Sequence, residues 1–329
     1  MNDRAVSILD QYDIEVVRTK KGRGVILCES RQGLYVLTEF TGSKEKAATL
    51  NLLLTQLQEN CAVPVDSILK NKEGELFTVD ADGTKYMVKT WLDGRECNVK
   101  DMGECERAVC TLADLHQYMK LEGEPLPDSF PVFSLQKEYE RHNRELKKVR
   151  RFLREKSQKT EFELFLNSHL DFFMEQAAEI LEDYKSYGNL EKEEEIRQQG
   201  ILCHGDYQHH NILVTDGQMA VINFEKFVLD QPSRDLYLFM RKILEKSNWT
   251  VSAGERLLKA YVQIRPLSAA ERINLYYRFA YPEKFWKIVN FYYNSAKAWI
   301  PGKNMEKLQK VLQQEPAKQQ FLDKVFRTL

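Results

Sequence analysis

Hydrophobic and polar positions over the first 92 residues follow a pattern typical of a small sheet interrupted by one helix. Turns separate short β-rich runs at 14–19, 25–29, 34–40, 75–79 and 84–91. After the third run, Ser43 offers an N-cap. The leucines that follow recur at the spacing of one buried helical face: Leu50, Leu53, Leu54 and Leu57. The order β-β-β-α-β-β predicts a five-stranded antiparallel N-terminal lobe over residues 1–92.

The rest of the chain, residues 93–329, has helical periodicity with one interruption. Cys105, Val109 and Leu112 begin the apolar face of its first helix. At 200–226 two apolar runs flank the turn 215–218, which predicts a hairpin inside a helical lobe. We therefore expect an α+β protein with a β-rich lobe followed by a mostly helical one.

Composition excludes several classes of function. The 329 residues are 43% hydrophobic, which excludes disorder of the whole chain, and 48 basic against 49 acidic residues give a net charge of -1. Nucleic acid is therefore not an expected partner. No apolar run approaches the length of a membrane span, and the N-terminus lacks the apolar core of a signal peptide. The six cysteines include no C-x-x-C pair, which favours reduced thiols over a zinc site.

The motif H-G-D-x-x-x-x-N lies inside the β-rich interruption, as His204, Gly205, Asp206 and Asn211. In a kinase-like fold this is the position of the catalytic loop. Its Asp accepts the proton of the attacking hydroxyl, and its Asn helps to hold a metal that bridges the nucleotide phosphates. The plainer alternative is an Asp and an Asn that serve an ordinary loop.

This arrangement resembles the aminoglycoside phosphotransferase and choline kinase branch of the protein-kinase-like superfamily. Four further segments resemble the CotS family of spore-coat proteins: 91–96, 223–226, 234–242 and 281–286. The resemblance covers nearly the whole chain. It implies a two-lobed kinase-like fold, with catalytic residues Asp206 and His204 and a cleft near residues 90–97.

Two charged positions of that family differ in this sequence. Thr38 stands where the third strand should carry a phosphate-binding Lys, and Asn223 stands where an Asp should bind magnesium. Strand alternation puts Thr38 on the cleft face, so Lys44 and Lys46 reach in only from the following loop and helix. Glu225 is a possible displaced ligand.

The remaining candidate contacts concern ATP and magnesium, which the resemblance implies only for an active enzyme. Asn211, Asn223 and Glu225 are the candidate metal ligands, and Thr38 and Trp91 are candidate nucleotide contacts. Gly22 and Gly24 lie in the first hairpin turn. That turn either cradles phosphates or is an ordinary hairpin connection.

We expect a CotS-type spore-coat protein with weak or lost phosphotransfer, made in the mother-cell cytoplasm and then assembled into the spore coat. Its expected partners are other coat proteins, with a small-molecule ligand possible in the cleft. The rival hypothesis is an ATP-dependent phosphotransferase acting on a small-molecule hydroxyl. Thr38 and Asn223 argue against the rival, while Asp206 and Asn211 favour it.

Two features of the helical half concern partners. The basic stretch 138–155 precedes an acidic run at 191–195, which indicates two solvated faces or a basic dock for an acidic partner. Near the C-terminus, Trp286 and Val289 share a core-type spacing, whereas Tyr292 and Trp299 lie on an adjacent stripe. That stripe is a candidate docking surface for a coat partner.

Overall fold

The structure is a computed structural model, and its description covers these residues: 3–22, 24–121, 123, 126, 130–188, 192–294 and 301–326. Two compact units make up the chain. Unit 1 contains residues 1–131, 196–239 and 260–265, and unit 2 contains 132–195, 240–259 and 266–329. Unit 1 thus joins the N-terminal sheet and the β-rich interruption in one body. The predicted boundary at residue 92 stays a prediction.

The main sheet of unit 1 is antiparallel and is preceded by a 3-10 helix at Asp3–Gln11. Its strands are β1 (Val16–Lys21), β2 (Val25–Ser30), β3 (Leu34–Glu39), β4 (Ile68–Leu69), β5 (Thr78–Val79) and β6 (Lys85–Thr90). The strand order is β1-β2-β3-β6-β4, with β5 also paired to β6. The sheet therefore has six strands, not the predicted five, because the two-residue β4 is too short to show alternation.

Helix α1 (Lys44–Asn60) begins where predicted: the Ser43 side chain accepts a hydrogen bond from the Lys46 backbone N–H. The four predicted leucines of its apolar face are buried. On one face of the sheet, Leu37 and Val88 pack with Ile8 and Tyr12. The opposite face carries Val36 and its cross-strand neighbour Lys89.

The second part of unit 1 is built from short strands around the H-G-D loop. Helix α2 (Met102–Tyr118) follows β7 (Arg95–Glu96), and the later strands are β8 (Leu202–Cys203), β9 (Ile212–Thr215), β10 (Gln218–Val221) and β11 (Val228–Leu229). Strand β9 pairs with β10 and β7, and β8 pairs with β11. The Val221 N–H also donates to the Pro64 carbonyl, 2.9 Å away, which ties the hairpin to the segment before β4.

The remaining helices belong wholly or partly to unit 2: α3 (Leu135–Glu155), α4 (Glu161–Ser186), α5 (Glu193–Gln199), α6 (Ser233–Lys246), α7 (Val251–Ile264), α8 (Ala269–Ala280), α9 (Glu283–Asn294) and α10 (Pro301–Val325). Stacked aromatic rings mark its core, with Phe173 and Phe285 4.1 Å apart between centroids. None of the helices among the described residues is long and apolar enough to cross a bilayer.

The aromatic residues of α9 are used mainly for packing. Trp286 and Val289 are buried as predicted. Tyr292 is half-buried, lies 4.3 Å from the Phe162 ring, and its hydroxyl is 3.1 Å from that of Thr160. Trp299, the other residue of the predicted docking stripe, lies outside the described residues.

Candidate functional site

A buried carboxylate of α6 holds the H-G-D loop in place. Asp235 accepts hydrogen bonds from the backbone N–H groups of His204, at 2.6 Å, and Gly205, at 2.9 Å. Burial would raise the pKa of Asp235, but the His116 side chain and the Gly205 N–H donor hold it below its usual range. Asp235 therefore ties helix α6 to the H-G-D loop.

Gly205 is required by the close approach of the loop to the chain after the hairpin. Its φ is +78°, and a Cβ there would lie 2.0 Å from the Lys226 carbonyl oxygen. Only glycine fits this position without a shift of the backbone.

His204 supports the loop and does not face a reacting group. Its ring is buried. Nδ1 accepts from the Asp206 backbone N–H at 3.2 Å, so Nε2 carries the proton and donates to the Ile222 carbonyl at 3.0 Å. The structure therefore places this predicted catalytic residue as a positioning residue, because both ring nitrogens are used by the backbone.

Asp206, the candidate base, is paired within the protein. One carboxylate oxygen accepts from the Lys226 ammonium at 2.7 Å, and the other accepts from the Gln208 amide. Asn211 is five positions along and donates to the Asp206 carbonyl at 2.8 Å. The carboxylate of this candidate base is thus engaged by two side chains.

Asn223 connects this loop to the segment before β4. It has a left-handed backbone with φ of 67°, a conformation that Asn tolerates better than most residues. Its side-chain amide donates to Asn211 Oδ1 at 3.0 Å, and its backbone N–H donates to Asp66 Oδ2 at 3.1 Å. Asn211 and Asn223 are both predicted metal ligands, and here the amide oxygen of Asn211 accepts a hydrogen bond from Asn223.

Lys89 lies at the centre of the site. Its side chain is 1% exposed, and its ammonium forms ion pairs with Asp66, at 2.7 Å, and with Glu225. It also donates to Asn223 Oδ1 at 3.0 Å. Burial would lower the pKa of Lys89, but the two carboxylates raise it above its usual range, so the ammonium stays charged. The same ion pair outweighs the effect of burial on Glu225 and lowers the pKa of that carboxyl group.

Strand register explains how a lysine reaches this place although Thr38 replaces the expected one. In the β3–β6 pair, Val36 is opposite Lys89 and Thr38 is opposite Met87. Lys89 therefore shares the face on which the nucleotide lysine was expected, one strand away. Sequence reasoning missed both Lys89 and Asp66. The available signal was a lysine inside an apolar strand, between Val88 and Thr90.

The other candidate residues, Trp91, Gly22 and Gly24, lie in two further parts of unit 1. Trp91 follows β6 and packs against Leu213, Ala220 and Ile222 of the hairpin region. Gly22 and Gly24 belong to the turn between β1 and β2, where the Gly22 N–H donates to the Val25 carbonyl at 2.9 Å.

The two lysines after β3 do not bond to the described site. Lys44 pairs with Glu75 at the surface, at 3.2 Å. Lys46 lies over the Phe227 ring. Neither supplies the missing charge at Thr38.

Magnesium, which the kinase resemblance implies, does not fit the side chains present. A magnesium ion needs free oxygen ligands with net negative charge. Here a buried ammonium takes an oxygen from each of Asp66, Glu225 and Asn223, and Asn211 Oδ1 is bonded to Asn223. A cation-binding centre is present, and its cation is a side chain.

A second group of ligand-type side chains lies behind the loop. His116, Cys203 and Asp235 are buried within reach of one another. His116 Nδ1 is 2.7 Å from the Tyr261 hydroxyl, and the Cys203 thiol donates to the Asp230 and Gln231 carbonyls. This group is a hydrogen-bonded support of the fold, and its atoms are used in that role.

Solved structures of phosphotransferases share this architecture. An aminoglycoside phosphotransferase from Alicyclobacillus acidocaldarius subsp. acidocaldarius DSM 446 superposes with a TM-score of 0.84 at 19% identity, over 99% of this chain and 96% of that one. The AMP-bound spectinomycin phosphotransferase APH(9)-Ia gives a TM-score of 0.66 at 13% identity, over 98% of each chain. These similarities confirm the predicted kinase-like α+β fold.

Sequence comparison points to spore coats. Spore coat protein S of Bacillus subtilis (strain 168) is 24% identical over 323 residues, which span 93% of this chain and 88% of that protein. The sequence profile of the family described as "Spore coat putative kinase YutH" matches residues 5–325. The match covers nearly the whole length, and the chain belongs to this kinase-like family of spore-coat proteins.

Proposed function

We propose that this protein is a structural component of the spore coat in which a kinase-like fold serves as an assembly scaffold and phosphotransfer is weak or lost. It is made in the mother-cell cytoplasm and binds other coat proteins. Family membership supports the coat role. The observation that supports loss of phosphotransfer is the closed set of bonds around Lys89.

In that closed set, the side chains that would meet a metal-nucleotide complex are bonded to one another. The ammonium of Lys89 neutralises one charge of the Asp66–Glu225 pair and bonds to Asn223. Asn223 in turn bonds to Asn211. A triphosphate and its metal would have to break these buried contacts, and each broken contact leaves a polar group unpaired.

A true small-molecule phosphotransferase is the second candidate, and Asp206 is the observation that favours it. Its carboxylate lies in the expected loop, with 15% of its side chain exposed. As a general base it would accept the proton of a substrate hydroxyl. For this it must first exchange its ion pair with Lys226 for the substrate.

Titration of the full-length protein with Mg-ATP in a calorimeter tests the proposal. Thr38 and Asn223 remove two charge-assisted contacts, each worth about 1.5–3 kcal/mol, which weakens binding about 10²- to 10⁴-fold. We expect no saturable binding below about 1 mM. A dissociation constant in the low micromolar range would contradict the proposed loss of phosphotransfer.

A second experiment, on spores, tests the scaffold role. Fluorescent fusions of the wild-type protein and of Asp206→Asn should both reach the coat, because the scaffold role does not use the candidate base. In an active kinase the same change removes the base and lowers turnover about 10²- to 10⁴-fold. Failure of Asp206→Asn alone to reach the coat, while it remains folded, would count against the scaffold.

A further inference from the structure

The Lys89 ammonium has the coordination of a bound cation. An ammonium has three N–H donors, and here three acceptors surround it: Asp66, Asn223 and Glu225. The lysine comes from β6, Asp66 from the segment before β4, and the other two from the chain after β10. One buried cation therefore joins three separate segments of unit 1.

The acceptors around Lys89 have more capacity than the ammonium uses. Two carboxylates face one ammonium, so the group of three ionised side chains keeps a net charge of -1. Asp66 is 2% exposed, and its Oδ1 is buried without a hydrogen-bond partner among the described residues. Carboxylate and amide oxygens are also the ligands that hard divalent cations prefer.

We propose that the Lys89 ammonium is the resident cation of this site, in place of a divalent metal, and that removing it uncovers a divalent-cation site formed by Asp66, Asn223 and Glu225. The inference deepens the proposed function and rests on it for the statement that the wild-type protein does not use magnesium here. Lys89 then has two roles: it excludes a divalent metal, and it holds the segments of the site together.

Charge explains why the metal and the ammonium exclude each other. A divalent ion placed among the same oxygens would lie within a few ångströms of the ammonium, where repulsion is strong because the site is screened little by water. With Lys89 replaced by a neutral residue, the cluster has charge -2, which a divalent ion balances. Affinity for the ion should then rise at least about 100-fold.

Thermal unfolding of the full-length protein with and without MnCl₂ tests this inference. The probe is manganese alone, without nucleotide. In EDTA, Lys89→Met should melt below wild type, because two carboxylates lose their counter-ion. In about 1 mM MnCl₂ its melting temperature should rise by about 5 °C or more, while wild type should not change. Calorimetric titration of the folded variant should give a stoichiometry of one ion.

Two controls isolate the cluster. Lys85→Met removes a lysine from the same strand whose ammonium donates to the Gly42 carbonyl, and it should show no response to manganese. The triple variant Lys89→Met, Asp66→Asn, Glu225→Gln lacks the carboxylates and should lose the response. If it responds as strongly as Lys89→Met, the ion binds elsewhere and the inference is overturned.

Several outcomes would overturn the inference. Saturable stabilisation of wild type by manganese would mean that Lys89 does not exclude the metal. A Lys89→Met protein that is folded but indifferent to manganese, or that stays unfolded with and without it, would mean that the metal cannot replace the ammonium. Mg-ATP binding by wild type would overturn the proposed function. The manganese experiment contains no nucleotide, so its result is independent of that outcome.

Discussion

The H-G-D loop has two neighbours in unit 1 that are built on different principles. In the first, Asp235 of α6 and His204 of the loop bond to backbone N–H and C=O groups, which do not depend on the side chain at each position. In the second, towards β6, Lys89 and Asn223 bond to side chains, so these bonds depend on which residue stands at each position. We call these the support side and the ligand side. The support side serves the fold whether or not chemistry occurs, whereas the ligand side can change provided that its buried charges remain balanced.

The largest expected effect comes from breaking the support side with Asp235→Ala. The change leaves the N–H groups of the buried His204 and the half-buried Gly205 without acceptors, and each costs about 1–3 kcal/mol. We expect the free energy of unfolding in urea to fall by about 3–5 kcal/mol. Asp93→Ala, at an exposed position of the same unit, is the matched control and should change it by less than about 0.5 kcal/mol. Equal losses in the two variants would show that the hydrogen bonds of Asp235 to the loop do not stabilise the folded protein.

An intermediate effect is expected on the ligand side, and it depends on pH. The pKa of Glu225 is lower in the folded protein than its unfolded value of about 4.3, so its contribution to stability is present above that pH and is lost as pH falls through the folded pKa. Glu225→Gln should therefore be less stable than wild type by about 1–3 kcal/mol at pH 7, with the gap narrowing towards pH 3.

Urea unfolding at several pH values between 3 and 7 measures this gap. The exposed Glu59→Gln change in α1 is the control, and its difference from wild type should stay small throughout. A gap for Glu225→Gln that is constant with pH would show that the Lys89–Glu225 ion pair does not stabilise the folded state.

The smallest effect is expected where the loop meets solvent. Lys226 is 70% exposed and pairs with Asp206, and exposed ion pairs contribute at most about 1 kcal/mol. Lys226→Ala should shift the urea midpoint only slightly. A loss of more than about 2 kcal/mol would show that this pair stabilises the loop more than an exposed ion pair does.

Local patterns predicted much of this structure. The leucine spacing located α1, and the turn composition located the hairpin of β9 and β10. The H-G-D motif located the loop and its likeness to kinases. Each of these features depends on residues close together in sequence, where periodicity and turn chemistry are directly visible.

The centre of the site was not predictable in the same way. Lys89 and Asn223 are 134 positions apart, and Asp66 and Asn223 are 157 apart. Their meeting depends on the register of β3 with β6 and on how the segment before β4 lies against the hairpin. The absence of a lysine at Thr38 was readable from the sequence, but the presence of Lys89 on the same face of the neighbouring strand follows from the strand pairing.

The burial of Lys89 has a consequence for chemical labelling. Acylating reagents attack a lysine only as the free amine and only where they can reach it, and Lys89 meets neither condition in the folded protein. Lys226, which is mostly exposed, should react readily under the same conditions. Peptide mass spectrometry can follow the rate at which Lys89 becomes acylated. That rate would report how often this part of unit 1 opens, with the acylation rate of Lys226 as the internal reference.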